Sequence, residues 1–177
     1  MNFSAQRKRG ASLALALLLL FGTPATAAAP PPARQVDAAN YTGRWYEIAR
    51  IPNRFQRNCA APYVDYTRDG QKVRAEQHCS PAAGRNGRVY RSSGHILDPG
   101  VNARLRLTFL GFWSQEYWIV DHDAAAGWAL VGDPGGRFLW VMARQPNLPA
   151  GAREAAVTRV RGLGYDASRL EYAGPRN

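Results

Sequence analysis

The segment from Arg104 to Phe109 reads Arg-Leu-Arg-Leu-Thr-Phe. Side chains on an extended strand point alternately to opposite faces, so Leu105, Leu107 and Phe109 share one side and the arginines the other. A strand of this kind belongs in a sheet with a dry inside and a wet outside. Further strands are predicted at Tyr41 to Arg50, Tyr63 to Thr67, Lys72 to Cys79, Arg88 to Leu97, Gln115 to Asp121, Trp128 to Gly132 and Arg137 to Arg144. Turn chemistry separates them: Asp69-Gly70, Pro81 to Gly87, Asp98-Pro99-Gly100, Gly111 to Ser114, Asp123 to Gly127, and Asp133-Pro134-Gly135-Gly136. The last of these lacks the lysine and the following helix of a phosphate-binding loop, so it is a turn.

Eight short strands joined by short loops are the number at which an up-and-down antiparallel β-barrel closes around a core or one small ligand. The expected fold is therefore all-β, an eight-stranded barrel. A different pattern follows it. Asn147, Leu148 and Pro149 lead into a helix over Ala150 to Leu163, with Ala152, Ala156, Val160 and Leu163 along one stripe and Gly162 and Gly164 to end it. Asp166 to Tyr172 is expected to return as a last short strand.

At 177 residues, with 17 Gly, 12 Pro and 11% aromatics, the chain suits one turn-rich β domain. Its first residues read as an address: basic Arg7, Lys8 and Arg9, an apolar run from Ala11 to Phe21, and small residues at Ala25-Thr26-Ala27. The apolar run falls short of the ~20 residues a membrane-spanning helix needs. The expected organisation is a signal peptide over 1–27, a Pro/Ala-rich linker over 28–36 and one domain over 37–174. Removing the three leader cations lowers the formal net charge from +10 to +7. The remaining arginines are scattered without a basic, aromatic-interleaved run, which argues against nucleic acid. They suit solvated strand faces, or mild attraction to an anionic membrane surface.

Cys59 and Cys79 are the only cysteines and stand at equal distance from Asp69. A hairpin centred there brings them opposite with a three-residue loop, or one residue out of register with a two-residue loop, where a bulge must absorb the offset. In an exported chain the pair is expected to form a disulfide. Their spacing, with no second pair of ligands nearby, argues against a metal site.

Three motifs carry a family resemblance. Gly43-Arg44-Trp45 opens the first strand in Tyr-Thr-Gly-Arg-Trp-Tyr-Glu-Ile-Ala-Arg; Tyr117 to Asp123 carries Asp121 followed by His122; and Leu139-Trp140-Val141-Met142-Ala143-Arg144-Gln145-Pro146 closes the last barrel strand. In this order they resemble the signature motifs of the lipocalins, and the first resembles the bacterial branch in particular. The second departs from the family pattern in placing His122 where an aromatic usually follows the Asp. The resemblance implies an eight-stranded barrel followed by a helix and a strand, with Gly43, Trp45, Asp121 and Arg144 as structural residues and the Arg144 guanidinium over the Trp45 indole. Many bacterial relatives are lipoproteins, whose anchor is a Cys directly after the cleavage site; the first Cys here is Cys59.

Alternation combined with the family's strand order puts Val64, Tyr66, Val73, Ala75, Leu105, Leu107, Phe109, Tyr117, Ile119, Phe138, Trp140 and Met142 inside as the expected ligand-binding residues. Such a lining suits an acyl chain, and the resemblance implies a periplasmic or secreted carrier of fatty acids or lysophospholipids. On the first strand, Trp45, Glu47 and Ala49 are expected on one face and Tyr46, Ile48 and Arg50 on the other. Glu47 then points inward, where an Arg partner is expected to form a structural salt bridge. His78, His95 and His122 lack metal-ligand spacing and are expected at the surface, and no Ser/His/Asp or Cys/His constellation can be assembled. No cofactor, metal or catalytic residue is expected. Two other readings stay open: an enzyme on the same barrel, favoured by a free, pocket-facing cysteine, and an interaction module with a filled interior. The Phe109 to Trp113 stretch, with Phe112 and Trp113 at a loop, is the candidate apolar patch for a membrane or for a second copy in a homodimer.

Overall fold

The structure is a computed structural model in which residues 30–33, 35–80 and 87–174 are described. The leader over 1–27 and most of the turn from Pro81 to Gly87 lie outside these residues. Eight strands form the barrel: β1 (Gly43–Arg50), β2 (Tyr63–Asp69), β3 (Lys72–Cys79), β4 (Arg88–Ile96), β5 (Arg104–Phe109), β6 (Trp113–Asp123), β7 (Trp128–Gly132) and β8 (Leu139–Ala143). Each pairs antiparallel with the next, and β1 pairs with both β2 and β8, so the sheet closes on itself and loses its edges. Helix α1 (Ala150–Gly162) and a two-residue strand β9 (Glu171–Tyr172), paired with the end of β1, complete the chain.

Closure creates two cores. Inside the barrel, Trp45, Val64, Val73, Ala75, Ile96, Leu105, Leu107, Phe109 and Ile119 pack together. Outside it, α1 lays Ala156, Val157 and Val160 against Ile48, Val120, Leu130 and Val141. The helix stops where Gly164 takes φ +85°, which lets the Tyr165 amide donate back to the Val160 carbonyl at 3.2 Å. On the barrel side Asp121 of β6 accepts from Arg159 Nε of α1, tying helix to barrel.

Several boundaries differ from the sequence reading. Phe109 pairs with Trp113, so the β5–β6 turn is Leu110, Gly111 and Phe112, and Trp113 and Ser114 belong to β6. Phe138 precedes β8 because the preceding loop is organised by buried Asp133, which accepts from the Arg137 amide at 2.8 Å and the Phe138 amide at 2.7 Å. The final strand shrinks to Glu171–Tyr172 because Asp166 accepts from the Ser168 amide and turns Ala167–Arg169 into a 3-10 helix. Val36, in the expected linker, is buried and donates to the Val101 carbonyl at 2.8 Å, and Ala33 donates to Ile119 at the same distance.

Two bulges shape the barrel. In β1 the register against β8 shifts between Glu47, opposite Met142, and Ala49, opposite Val141. The extra residue reverses the alternation. Ala49 therefore joins the outer core, while Arg50, opposite Trp140, turns to the side of Glu47, correcting the simple alternation. In β6 a shift between Ile119 and Asp121 leaves Val120 and Asp121 both outside, Val120 in the outer core and Asp121 on Arg159, while Ile119 stays inside.

Candidate functional site

Up-and-down connectivity puts the β1–β2, β3–β4, β5–β6 and β7–β8 connections at one end of the barrel. At the other end a 3-10 turn, Ala38–Tyr41, lies against the start of β1. There Gly43, at φ +75°, lets the chain turn into β1. The Trp45 indole donates to the Asn40 carbonyl at 2.7 Å, and the Arg144 guanidinium lies 4.1 Å from its ring centre. Arg144 Nη1 also donates to the Thr42 and Arg44 carbonyls at 2.9 and 3.2 Å. This end is shut.

From the other end a cavity of about 390 Å³ reaches down to Trp45 and Tyr41. Of the twelve residues expected inside, Val64, Tyr66, Leu105, Phe109, Tyr117, Ile119, Phe138, Trp140 and Met142 line it. Val73, Ala75 and Leu107 are also inside, but are consumed in packing and do not reach the cavity. The cause lies next to them: Gly94 of β4 faces Leu107 and Val73 across the ladders, and a Cβ there would stand 1.7 Å from the Arg106 carbonyl oxygen. Without a side chain at Gly94 the β4 and β5 backbones close in, and the neighbouring side chains fill that part of the interior. The barrel is nonetheless not filled, and a cavity of this volume lies within the ~300–1,000 Å³ range of small-molecule pockets.

The polar part of the wall is a connected network. Glu47, 3% exposed, accepts from Arg50 Nη1 at 2.6 Å and from Gln56 Nε2 at 2.5 Å. Arg50, 2% exposed, also donates to Glu171 at 2.8 Å and to the Gln56 and Cys59 carbonyls. Gln56 Oε1 in turn accepts from Trp140 Nε1 at 2.8 Å and from Asn53 Nδ2 at 2.6 Å. Burial pushes the Glu47 carboxyl above the usual carboxylate range, with Arg50 opposing. Burial also pushes the Tyr66 phenol up to about 12 and the Tyr117 phenol upward, so both are neutral hydrogen-bonding groups on the cavity wall at any physiological pH.

Sequence alternation could not supply Asn53, Arg54, Phe55 and Gln56 at the mouth, because they sit on a connection. Asn53 caps a 3-10 turn, Arg54–Gln56, by accepting from the Phe55 and Gln56 amides. That turn brings Phe55 over the opening to Trp113, with ring centres 5.3 Å apart, and delivers Arg54 and Gln56 to the cavity. Asn53 after Pro52 was the available signal for it. Arg88 and Tyr90 complete the rim. His78, expected at the surface, is mostly buried there, stacked on Tyr63 at 4.3 Å and 3.6 Å from Asp65.

Cys59 and Cys79 form a disulfide at the same rim, with Cα atoms 5.1 Å apart. The hairpin does not align them. Asp69 pairs with Lys72 around Gly70 and Gln71, which sets Tyr63 opposite His78 and leaves Cys59 well short of Cys79's register. Cys59 arrives instead from the β1–β2 loop, where Asn58 takes φ +63° and the Ala60 amide donates to the Ser80 carbonyl at 2.8 Å. The bond pins the segment that carries Phe55 and Gln56 to the end of β3.

The lipocalin-like domain family matches residues 36–175, and the chain belongs to the lipocalins. Among curated relatives, the outer membrane lipoprotein Blc of Vibrio cholerae is 25% identical over 167 residues, covering 93% of this chain and 97% of the relative. Blc of Escherichia coli K12 is 28% identical over 138 residues, 76% of either chain. Among solved structures, insecticyanin of the tobacco hornworm Manduca sexta superposes with a TM-score of 0.68 at 17% identity, covering 84% of this chain and 85% of that one. The Blc relatives put the chain in the Blc-like branch, and the open apolar barrel makes it a lipocalin for a hydrophobic ligand.

Proposed function

We propose that this chain is an exported carrier that binds, stores or transports a fatty acid or a lysophospholipid for maintenance of the cell envelope. The observation that carries the reading is the cavity itself: open at one end, shut at Trp45, and walled chiefly by apolar and aromatic side chains. Each methylene moved from water into such a wall gains ~0.8 kcal/mol, so a sixteen-carbon chain gains about 12 kcal/mol gross. Lost translational and conformational freedom takes back a large share, leaving micromolar to nanomolar affinity.

The shape favours tail-first binding. Glu47 on the wall is already matched by Arg50 and Gln56, and offers nothing to a second carboxylate or phosphate. The cations that line the cavity at its rim, Arg54 and Arg88, are placed for an anionic headgroup. Residues 1–27 are proposed as a cleaved leader and 37–174 as the carrier domain, working in the periplasm or beyond it with peripheral contact to anionic membrane. Similarity to outer membrane lipoproteins supports an envelope setting.

Titration with a fluorescent fatty acid, displaced by palmitate and by a lysophospholipid, tests the reading. One saturable site with a micromolar or tighter Kd is expected; no saturable uptake of either lipid would overturn it.

A further inference from the structure

The β5–β6 turn carries an apolar tip that nothing in the fold uses. Leu110 is 84% exposed and Phe112 80% exposed. Leu110 also holds φ +51°, a left-handed backbone that Gly or Asn adopts readily and a leucine does not. The hairpin turn itself needs positive φ at Leu110 and Gly111 and closes with the Phe112 amide donating to the Phe109 carbonyl at 3.2 Å. A leucine is a poor choice for that position, and its exposed side chain serves neither turn nor core, so its use there points to a role outside the fold. The tip runs into the lip of the cavity through Trp113 and Phe55, 39% and 45% exposed, whose rings lie 5.3 Å apart.

Charge is arranged around this tip. Arg54 and Arg57 on the β1–β2 loop, Arg88 at the start of β4 and Arg137 on the β7–β8 loop all stand at the open end, and each is exposed. Of the acids described there, Asp133 is buried under its own loop amides and also meets Arg137 Nε at 3.4 Å, leaving the outer guanidinium nitrogens of Arg137 to solvent, and Glu47 and Glu171 share Arg50. Asp69, Asp98 and Asp123 lie at the opposite, shut end together with Arg68, Lys72 and Arg144, so that end is mixed in sign where the exposed charges of the mouth are chiefly cationic. Arg54 and Arg137 also cover the rings of Phe55 and Phe138 at 4.9 and 5.5 Å, joining a cation to an apolar surface as interfacial residues do.

We propose that the barrel docks mouth-down on an anionic bilayer, with Leu110 and Phe112 entering the headgroup boundary and Arg54, Arg57, Arg88 and Arg137 meeting lipid phosphates. The charge polarity along the barrel favours this partner over a second copy of the chain, whose mouth would present the same cations. Docking in this orientation rests on the lipid-carrier reading for its purpose, since it lets a single-chain lipid pass between bilayer and cavity without crossing water.

The test compares the exported chain with a Leu110→Asn/Phe112→Ser variant in flotation with phosphatidylglycerol/phosphatidylethanolamine vesicles and with phosphatidylcholine vesicles. Asn suits the left-handed position, so the variant is expected to unfold no earlier than the parent and to take up a fluorescent fatty acid in solution equally well. Its partition onto anionic vesicles is expected to fall at least tenfold. Binding of the parent is expected to weaken in high salt and on phosphatidylcholine. Equal vesicle binding by the two proteins overturns the proposal, as does a parent that stays off anionic vesicles. A parent dimer that the variant converts to monomer, with no vesicle binding by either, overturns it in favour of a self-interface. Vesicle binding without fatty-acid uptake upholds docking and overturns the carrier reading alone.

Discussion

The Arg144 guanidinium lies 4.1 Å from the centre of the Trp45 indole and donates to three carbonyls around it, those of Thr42, Arg44 and Ala39. One planar cation thus joins the end of β8, the start of β1 and the turn that shuts the barrel. An ammonium keeps the charge but cannot cover the ring and reach these carbonyls together. Arg144→Lys is expected to lower stability by about 1 kcal/mol, read as a shift in urea midpoint at unchanged slope.

The Cys59–Cys79 bond closes a loop of sequence separation 20, for which restriction of the unfolded chain predicts about 3 kcal/mol. The Cys59→Ser/Cys79→Ser variant is expected to lose that much in thermal unfolding. Hydrogen exchange should rise first in residues 51–62, which the bond pins, before it rises in the strands.

Arg50 and Glu47 are both buried, so removing one leaves the other uncompensated, at about 3–5 kcal/mol. The sign of the pH dependence follows from the raised carboxyl of Glu47, caused by burial and opposed by Arg50. The folded state binds this proton more tightly than the unfolded chain does. Its contribution is therefore full below the ordinary Glu value of ~4.3 and declines as pH rises through the folded value. In Arg50→Leu the opposition is gone and the carboxyl rises further. The deficit against the parent is expected to be largest near neutral pH and to shrink as pH falls toward 5, measured by denaturant titration of both proteins at each pH.

Gly94 leaves no room for a side chain, since a Cβ would stand 1.7 Å from the Arg106 carbonyl oxygen and 3.0 Å from Leu107 Cα. Gly94→Ala must part β4 from β5. An expected loss of more than about 3 kcal/mol, with a shift in the near-ultraviolet dichroism of the cavity aromatics, is checked by circular dichroism.

Most of the barrel was legible because alternation and turn chemistry are local. Arg104 to Phe109 reads as it folds, and Asp69-Gly70 marks its hairpin, although the turn residues are Gly70 and Gln71. Legibility failed where a contact distant in sequence overrides the local pattern. The bulge after Glu47 is set by pairing with β8, and it moves Arg50 to the side that alternation denies it. Val73, Ala75 and Leu107 were read as inside, yet packing beside Gly94 keeps them from the cavity. The cysteines were paired for the right chemical reason through the wrong geometry, because the β1–β2 loop folds back in a way its sequence does not announce. Phe55, Gln56 and Arg54 were missed for the same reason: loops place side chains by caps and clips, not by period.

Native mass spectrometry of the chain purified from its own cells, followed by organic extraction, tests the central claim most directly. A single stoichiometric acyl lipid, lost when Met142→Trp fills the cavity, is the predicted result. An empty barrel that also refuses added fatty acid and lysophospholipid would contradict the account.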